Sequence, residues 1–177
     1  TMTTSGKMGN AQSFDGSNDY VTMGNIAGDA FGTGPMSVSV WFKTSASGIY
    51  HSPIDNKTAG TNNAGFNIYI VENNIAYFRI ANGSTQGSIG SGSTVNDNTW
   101  HYAVGVRNGD NYYIYVDGTE RATLSGVSTW NISSAEPLLF GAYGTSPGNG
   151  NWTNLLDEIR LSSSIRSSGW IATEYNN

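Results

Sequence analysis

At 177 residues the chain is long enough for one domain with a substantial hydrophobic core. Only 12% of it is charged, the net charge is −5, and Lys and Arg are few and scattered, which argues against nucleic acid as the partner. There is no membrane-length apolar run and no signal peptide, and the lack of cysteine excludes disulfides and zinc–thiolate sites.

The start, Thr1-Met2-Thr3-Thr4-Ser5-Gly6, reads as a linker, so residues 1–8 are expected to be a linker remnant and residues 9–177 a single domain. Ser13 to Val21 then sets carboxylates beside strand-forming residues. Met36 to Lys43 alternates with a period of two and puts Met36, Val38, Val40 and Phe42 on one face. Phe66–Ile70 and Ile75–Ile80 flank Asn73-Asn74 as two strands around a tight turn. Trp100–Arg107 and Tyr112–Val116 form the clearest hairpin, with Asn108-Gly109 as the pair suited to positive φ. Asp117-Gly118 turns the chain again before Arg121–Leu124. Pro137–Tyr143 and Leu155–Leu161 supply late strands, separated by a Gly/Asn/Pro loop from Gly144 to Asn151. The tail from Ser167 to Tyr175 is the one helix expected, with Ser167 or Ser168 as N-cap and Trp170 anchoring it. Many short strands with close turn signals point to an all-β, two-sheet antiparallel sandwich.

Leu155-Leu156-Asp157-Glu158-Ile159-Arg160-Leu161 echoes the carboxylates near the start. Were the two runs to pair, oxygen ligands from both ends would converge on a hard cation such as Ca²⁺. The plainer reading of Asp15-Gly16 and Asn18-Asp19 is turn chemistry, with Asx side chains capping their own backbone.

Five pieces occur in a specific order. They are Phe14-Asp15-Gly16 with Asp19-Tyr20-Val21, Ser37 to Phe42, Trp100-His101-Tyr102, Tyr115-Val116-Asp117-Gly118, and Leu156 to Arg160. In this order, over Gly9 to Tyr175, the chain resembles the laminin-G-like, concanavalin A-like jelly-roll modules of secreted bacterial and archaeal proteins. The resemblance implies two facing antiparallel sheets, adjacent terminal strands and a structural calcium. Its ligands would be Asp15, Asn18, Asp19 and Asp157 with a carbonyl such as that of Gly16, completed by water. Alternation along a regular strand sends Glu158 to the opposite face, where it would pair with Arg160.

Relatives of that fold include glycoside hydrolases, which set two carboxylates across the scissile bond. Here Glu72, Glu120, Glu136, Glu158 and Glu174 are isolated, Asp55 and Asp97 lack a spaced acidic companion, and no Gly-x-Ser-x-Gly elbow occurs. His51 and His101 have no metal-ligand spacing, and His101 reads as structural. The chain is therefore expected not to be an enzyme.

Aromatic residues are 12% of the chain, and sugar sites combine flat rings with amide and carboxylate partners. Trp152 sits in a loop with Asn149, Asn151 and Asn154, and Tyr143 opens that loop. Trp130 follows another polar turn, and Tyr50 and His51 lie near Asn56 and Lys57. The expected ligand-binding set is Tyr50, His51, Trp130, Tyr143, Asn151 and Trp152; Trp41 and Trp100 are expected to be packing residues. Tyr113 and Tyr115 could face a sheet surface or simply stabilise it. The whole reads as a non-catalytic carbohydrate-binding or adhesion module of a larger extracellular or cell-surface protein. It would contact a glycan or glycosylated surface and other domains of its parent chain, with no nucleic acid and no membrane insertion. The alternatives are a spacer or protein-adhesion domain, and less readily a hydrolase or lyase.

Overall fold

The computed structural model describes residues 2–25, 31–48, 50–57, 63–71, 73–144 and 150–177; Glu72 and Asn149 lie outside them. Among the described residues the chain forms thirteen strands and one helix. The strands are β1 (Met2–Ser5), β2 (Asn10–Asp15), β3 (Val21–Thr22), β4 (Met36–Lys43), β5 (His51–Asp55), β6 (Gly65–Ile70) and β7 (Ile75–Ala81). They continue with β8 (Gln86–Thr94), β9 (Trp100–Asn108), β10 (Asn111–Val116), β11 (Thr119–Ser125), β12 (Leu139–Phe140) and β13 (Thr153–Ser162), before α1 (Ser168–Asn176). A seven-stranded sheet, β1-β2-β13-β4-β9-β10-β11, faces a six-stranded sheet, β3-β12-β5-β6-β7-β8, and every pairing is antiparallel.

The core between the sheets takes the residues that alternation selects. Met36, Val38, Val40 and Phe42 of β4 meet Phe66, Ile68 and Ile70 of β6 and Phe78 and Ile80 of β7. Gly105 lies on the inner face of β9, where a Cβ would collide with the ring of Phe78 from the other sheet. That glycine is fixed by close approach rather than by backbone angle.

Outside the seven-stranded sheet a second cluster forms under α1. Trp41 stacks on Tyr102 at 5.0 Å and on Tyr175 at 5.6 Å, and Ile171 is fully buried against them. Ser167 is the N-cap, its Oγ accepting from the Trp170 amide at 3.2 Å. Trp170 is half-buried at the edge of this cluster, so Ile171 and Tyr175 share the anchoring expected of it alone.

Several expectations change. Met2–Ser5, expected within a linker, instead forms β1, which pairs with β2 from Met2 opposite Ser13 to Ser5 opposite Asn10. Pro137–Tyr143 yields only the two-residue β12. The β9–β10 turn is centred on Gly109-Asp110, one residue later than expected, since Asn108 pairs with Asn111. Asp117-Gly118 has positive φ at both positions (53° and 74°), the geometry a two-residue hairpin loop prefers. The Gly/Ser-rich β8 gave no strand signal of its own; its inward Ile89 and its pairing with β7 hold it in the sheet.

Candidate functional site

The terminal strands do pair, Thr153 opposite Asp15 through Leu156 opposite Gln12. That register separates the expected calcium ligands. Asp15 lies at one end of the paired segment and Asp157 beyond the other, about 13 Å along the strand at ~3.3 Å per residue. Asp157 is buried and spent on main-chain amides: Oδ2 accepts from Met8 and Oδ1 from Glu158, both at 2.9 Å. At the turn, Asp15 Oδ1 accepts from the Ser17 amide at 2.8 Å and Asp19 Oδ2 from the Asp15 amide at 3.2 Å. No group of three or more His, Cys, Asp or Glu among the described residues is arranged to hold a metal. Asp15, Gly16, Asn18, Asp19 and Asp157 therefore do not fit one calcium site. Glu158 behaves as expected and pairs with Arg160 at 2.6 Å, although through a bulge in β13 where Glu158 itself takes φ 47°. Arg160 also pairs with Glu174 of α1.

The expected glycan set divides into two groups. Trp152 and His51 are fully buried, their rings stacked at 4.6 Å and 16°, and Phe42 meets Trp152 edge-on at 5.6 Å. Neither ring nitrogen of His51 has a hydrogen-bond partner, and burial pushes its pKa down to about 4. Trp130 packs half-buried on the same core. Asn151 is buried and donates to the Ser17 carbonyl, tying its loop to the Asp15–Asp19 turn. The indole of Trp152 folds under its polar loop rather than into water, and His51 is buried with it. Tyr50 and Tyr143 come together, half-buried and edge-on at 4.8 Å.

Around those two tyrosines the six-stranded sheet builds a patterned outer face. Register aligns Asp55 with Asn67, Asn67 with Arg79 and Arg79 with Ser88, a polar row crossing β5, β6, β7 and β8. Two residues along each strand, Tyr69 pairs with Tyr77 and Tyr77 with Gly90. Tyr69 stacks on Tyr50 at 5.0 Å and on Tyr77 at 5.3 Å, and the Arg79 guanidinium lies 4.2 Å from its ring centre. A Cβ at Gly90 would strike the Tyr77 ring, so this glycine lets the ring lie across β8. Arg79 Nε donates to Ser88 Oγ at 3.0 Å, and Asn73 donates to the Tyr77 hydroxyl at 2.8 Å.

Depth increases along the polar row. Ser88 is exposed and Arg79 half-buried, whereas Asn67 and Asp55 are buried. Asn67 Nδ2 donates to the Tyr50 hydroxyl at 2.9 Å, and Asp55 Oδ2 accepts from the amides of Gly144 at 2.9 Å and Lys57 at 3.3 Å. Asp55 Oδ1 and Asn67 Oδ1 have no partner. Burial raises the Asp55 pKa to about 7 against the lowering effect of those two amides. Lys57 is buried too, and burial and Arg79 depress its pKa.

A groove of 310 Å³ runs along the outer face of the seven-stranded sheet beside the start of α1. Tyr113 and Tyr115 floor it, 6.3 Å apart, between Glu120 and Arg166. The Tyr115 hydroxyl is already satisfied by Glu120 at 3.2 Å, and no unpartnered buried polar atom lines this groove. The tyrosine face of the other sheet is the better candidate on that ground.

Residues 15–172 match Laminin_G_3, described as the concanavalin A-like lectin/glucanases superfamily. The chain belongs to this family. No protein of curated function matches the sequence. Among solved structures, this Laminin_G_3 domain superposes on the binding domain of Paraclostridial Mosquitocidal Protein 1 with a TM-score of 0.81 at 15% identity. That match covers 99% of this chain and 45% of the other, so the domain spans under half of that protein's binding region. The CBM40 of Ruminococcus gnavus IT-sialidase, solved also with alpha2,3 sialyllactose, gives 0.75 at 11% identity, covering 93% of this chain and 96% of its own. Domain 4 of AbnA, a GH43 extracellular arabinanase from Geobacillus stearothermophilus solved with arabinotriose, gives 0.71 at 15% identity, covering 97% and 79%. At these identities the likeness establishes the jelly-roll sandwich of this Laminin_G_3 domain. No helix among its described residues is long and apolar enough to cross a membrane.

Sequence reasoning missed Asp55, Asn67, Tyr69, Tyr77, Arg79 and Ser88 as a site. Part of the signal lay in the hairpin it did identify, but a two-residue turn at Asn73-Asn74 would pair Asn67 with Ile80 and Tyr69 with Phe78; the turn centres on Asn73 instead, which pairs Asn67 with Arg79 and Tyr69 with Tyr77.

Proposed function

We propose that this domain is a non-catalytic carbohydrate-binding module of a larger secreted or surface protein, and that it takes its ligand on the outer face of the six-stranded sheet. The carrying observation is the pair of parallel rows, Asp55-Asn67-Arg79-Ser88 beside Tyr69-Tyr77 with Tyr50 stacked at their end. Sugars present C–H faces flanked by hydroxyls, and rings set beside amide, carboxylate and guanidinium groups complement both. The sialyllactose and arabinotriose complexes of the two bacterial modules support the reading by showing sugar bound in this architecture. We assign any structural calcium to the Asp15–Asp19 turn and its carbonyls, without Asp157.

The test is a glycan array of the purified module with Tyr77→Ala and Arg79→Ala, each beside Tyr113→Ala from the opposite groove. Binding to one glycan class, lost at Tyr77 and Arg79 and kept at Tyr113, is the expected result. Loss only at Tyr113 would move the site to the other sheet, and a flat array from folded protein would leave an adhesion or spacer role.

A further inference from the structure

The buried end of the polar row carries more information than its exposed end. Asp55 and Asn67 are directly opposed on neighbouring antiparallel strands, which sets their Cβ atoms ~5 Å apart on one face. Each has one satisfied polar atom and one orphan; Asn67 Oδ1 is an acceptor, and Asp55 Oδ1 is one above pH 7, where the carboxyl is ionised. An acceptor buried without a partner loses its water and gains nothing in return, so two side by side are a standing cost that a donor would relieve.

The amide donors nearest the pair are engaged. Asn67 Nδ2 is on the Tyr50 hydroxyl and the Gly144 and Lys57 amides are on Asp55 Oδ2. Arg79 spends its Nε on Ser88 and its flat face on Tyr69. A carboxylate set against this pair would meet two acceptors and, above pH 7, a second negative charge, the Arg79 guanidinium being held toward Ser88 at the outer end of the row. A hydroxyl would meet a pair of vacant acceptors. Tyr50 closes this end, its ring over Tyr69 and against Tyr143 and its oxygen on Asn67.

Resting on the function proposed above, we infer that the ligand is an uncharged, hydroxyl-rich sugar. It is read by hydroxyl donation to Asp55 Oδ1 and Asn67 Oδ1, with Tyr50 moving off the Asn67 amide to admit it. The rings of Tyr69 and Tyr77 carry its C–H face, and Arg79 and Ser88 serve the part that stays near solvent.

The experiment is a glycan array sorted into neutral and acidic members, with arabinotriose and alpha2,3 sialyllactose among them. Calorimetry follows on the strongest binder with wild type and Asp55→Asn. Asp55→Asn keeps the side-chain shape and an oxygen for the two amides but can turn a donor toward the ligand. Selective binding of neutral glycans, weakened at least tenfold by Asp55→Asn with the melting temperature at pH 8 unchanged or higher, is the expected result. Acidic glycans bound as well as or better than neutral ones overturn the inference while leaving carbohydrate binding intact. Equal affinity of Asp55→Asn for a neutral glycan also overturns it. An array flat throughout, from protein with a cooperative melt, removes the proposed function itself.

Discussion

The rings of His51 and Trp152 lie face to face, 4.6 Å apart and 16° from parallel, sealed from solvent at the start of β5 and just before β13. This contact joins the six-stranded sheet to the long central strand of the other. It turns two residues with the look of a sugar-binding rim into the plug of the sandwich end, with Phe42 of β4 edge-on to the indole.

Trp152→Ala should therefore act on folding before it acts on any ligand. Removing a fully buried indole leaves a cavity between the sheets, at a cost of about 3–5 kcal/mol. Urea titration would measure it. A loss under 1 kcal/mol would mean that the end of the sandwich collapses around the gap.

His51 makes stability depend on acid. Its folded pKa of about 4 lies below the ordinary 6.5, so folding favours the neutral ring. The contribution is complete above pH 6.5 and declines as pH falls from there toward 4, by up to roughly 3 kcal/mol. His51→Phe keeps a ring against Trp152 and should flatten that slope. Denaturation curves at pH 4.5 and 7 for both proteins decide it.

His101 has the opposite sign. Its Nδ1 meets Asp117 Oδ2 at 2.8 Å and its Nε2 meets Asp97 Oδ1 at 3.1 Å. Burial works against its charge, but the hydrogen bonds and charges of Asp117 and Asp97 outweigh it and raise the pKa. Stability from this group is complete below pH 6.5 and lost as pH rises through the folded value. Asp117→Asn retains the left-handed turn residue and removes the charge. It should cost about 1–2 kcal/mol at pH 6 and less at pH 9, measured as paired melts.

Asp157→Ala strands the amides of Met8 and Glu158, a loss of about 1–3 kcal/mol. Because those partners are main-chain N–H groups, the drop in melting temperature should be equal in calcium and in chelator. A deficit seen only with calcium would return Asp157 to a metal.

Most of the fold was legible in the chain because strand alternation and turn chemistry are local. Met36 to Phe42 declared a buried face, Asn73-Asn74 and Asp117-Gly118 declared turns, and Ser167 declared a helix start. What stayed hidden was strand β8, where Gly and Ser suppress any signal, and the first strand, whose Thr/Ser run looks like a linker until β2 pairs with it.

Burial and register divided the site in the same way. Local pattern specified the strands of the all-β sandwich and the hairpins, since each rests on neighbours along the chain, whereas the pairing of the two ends was legible only through the resemblance. Long-range packing put Trp152 and His51 into the core, set Asp157 against Gly6–Met8 rather than Asp15, and brought Asp55, Asn67, Arg79 and Ser88 into one row. The physical reason is that a one-residue change in register reverses every side chain on a strand. Register across four strands is set by packing among segments far apart in sequence, so no single segment records it.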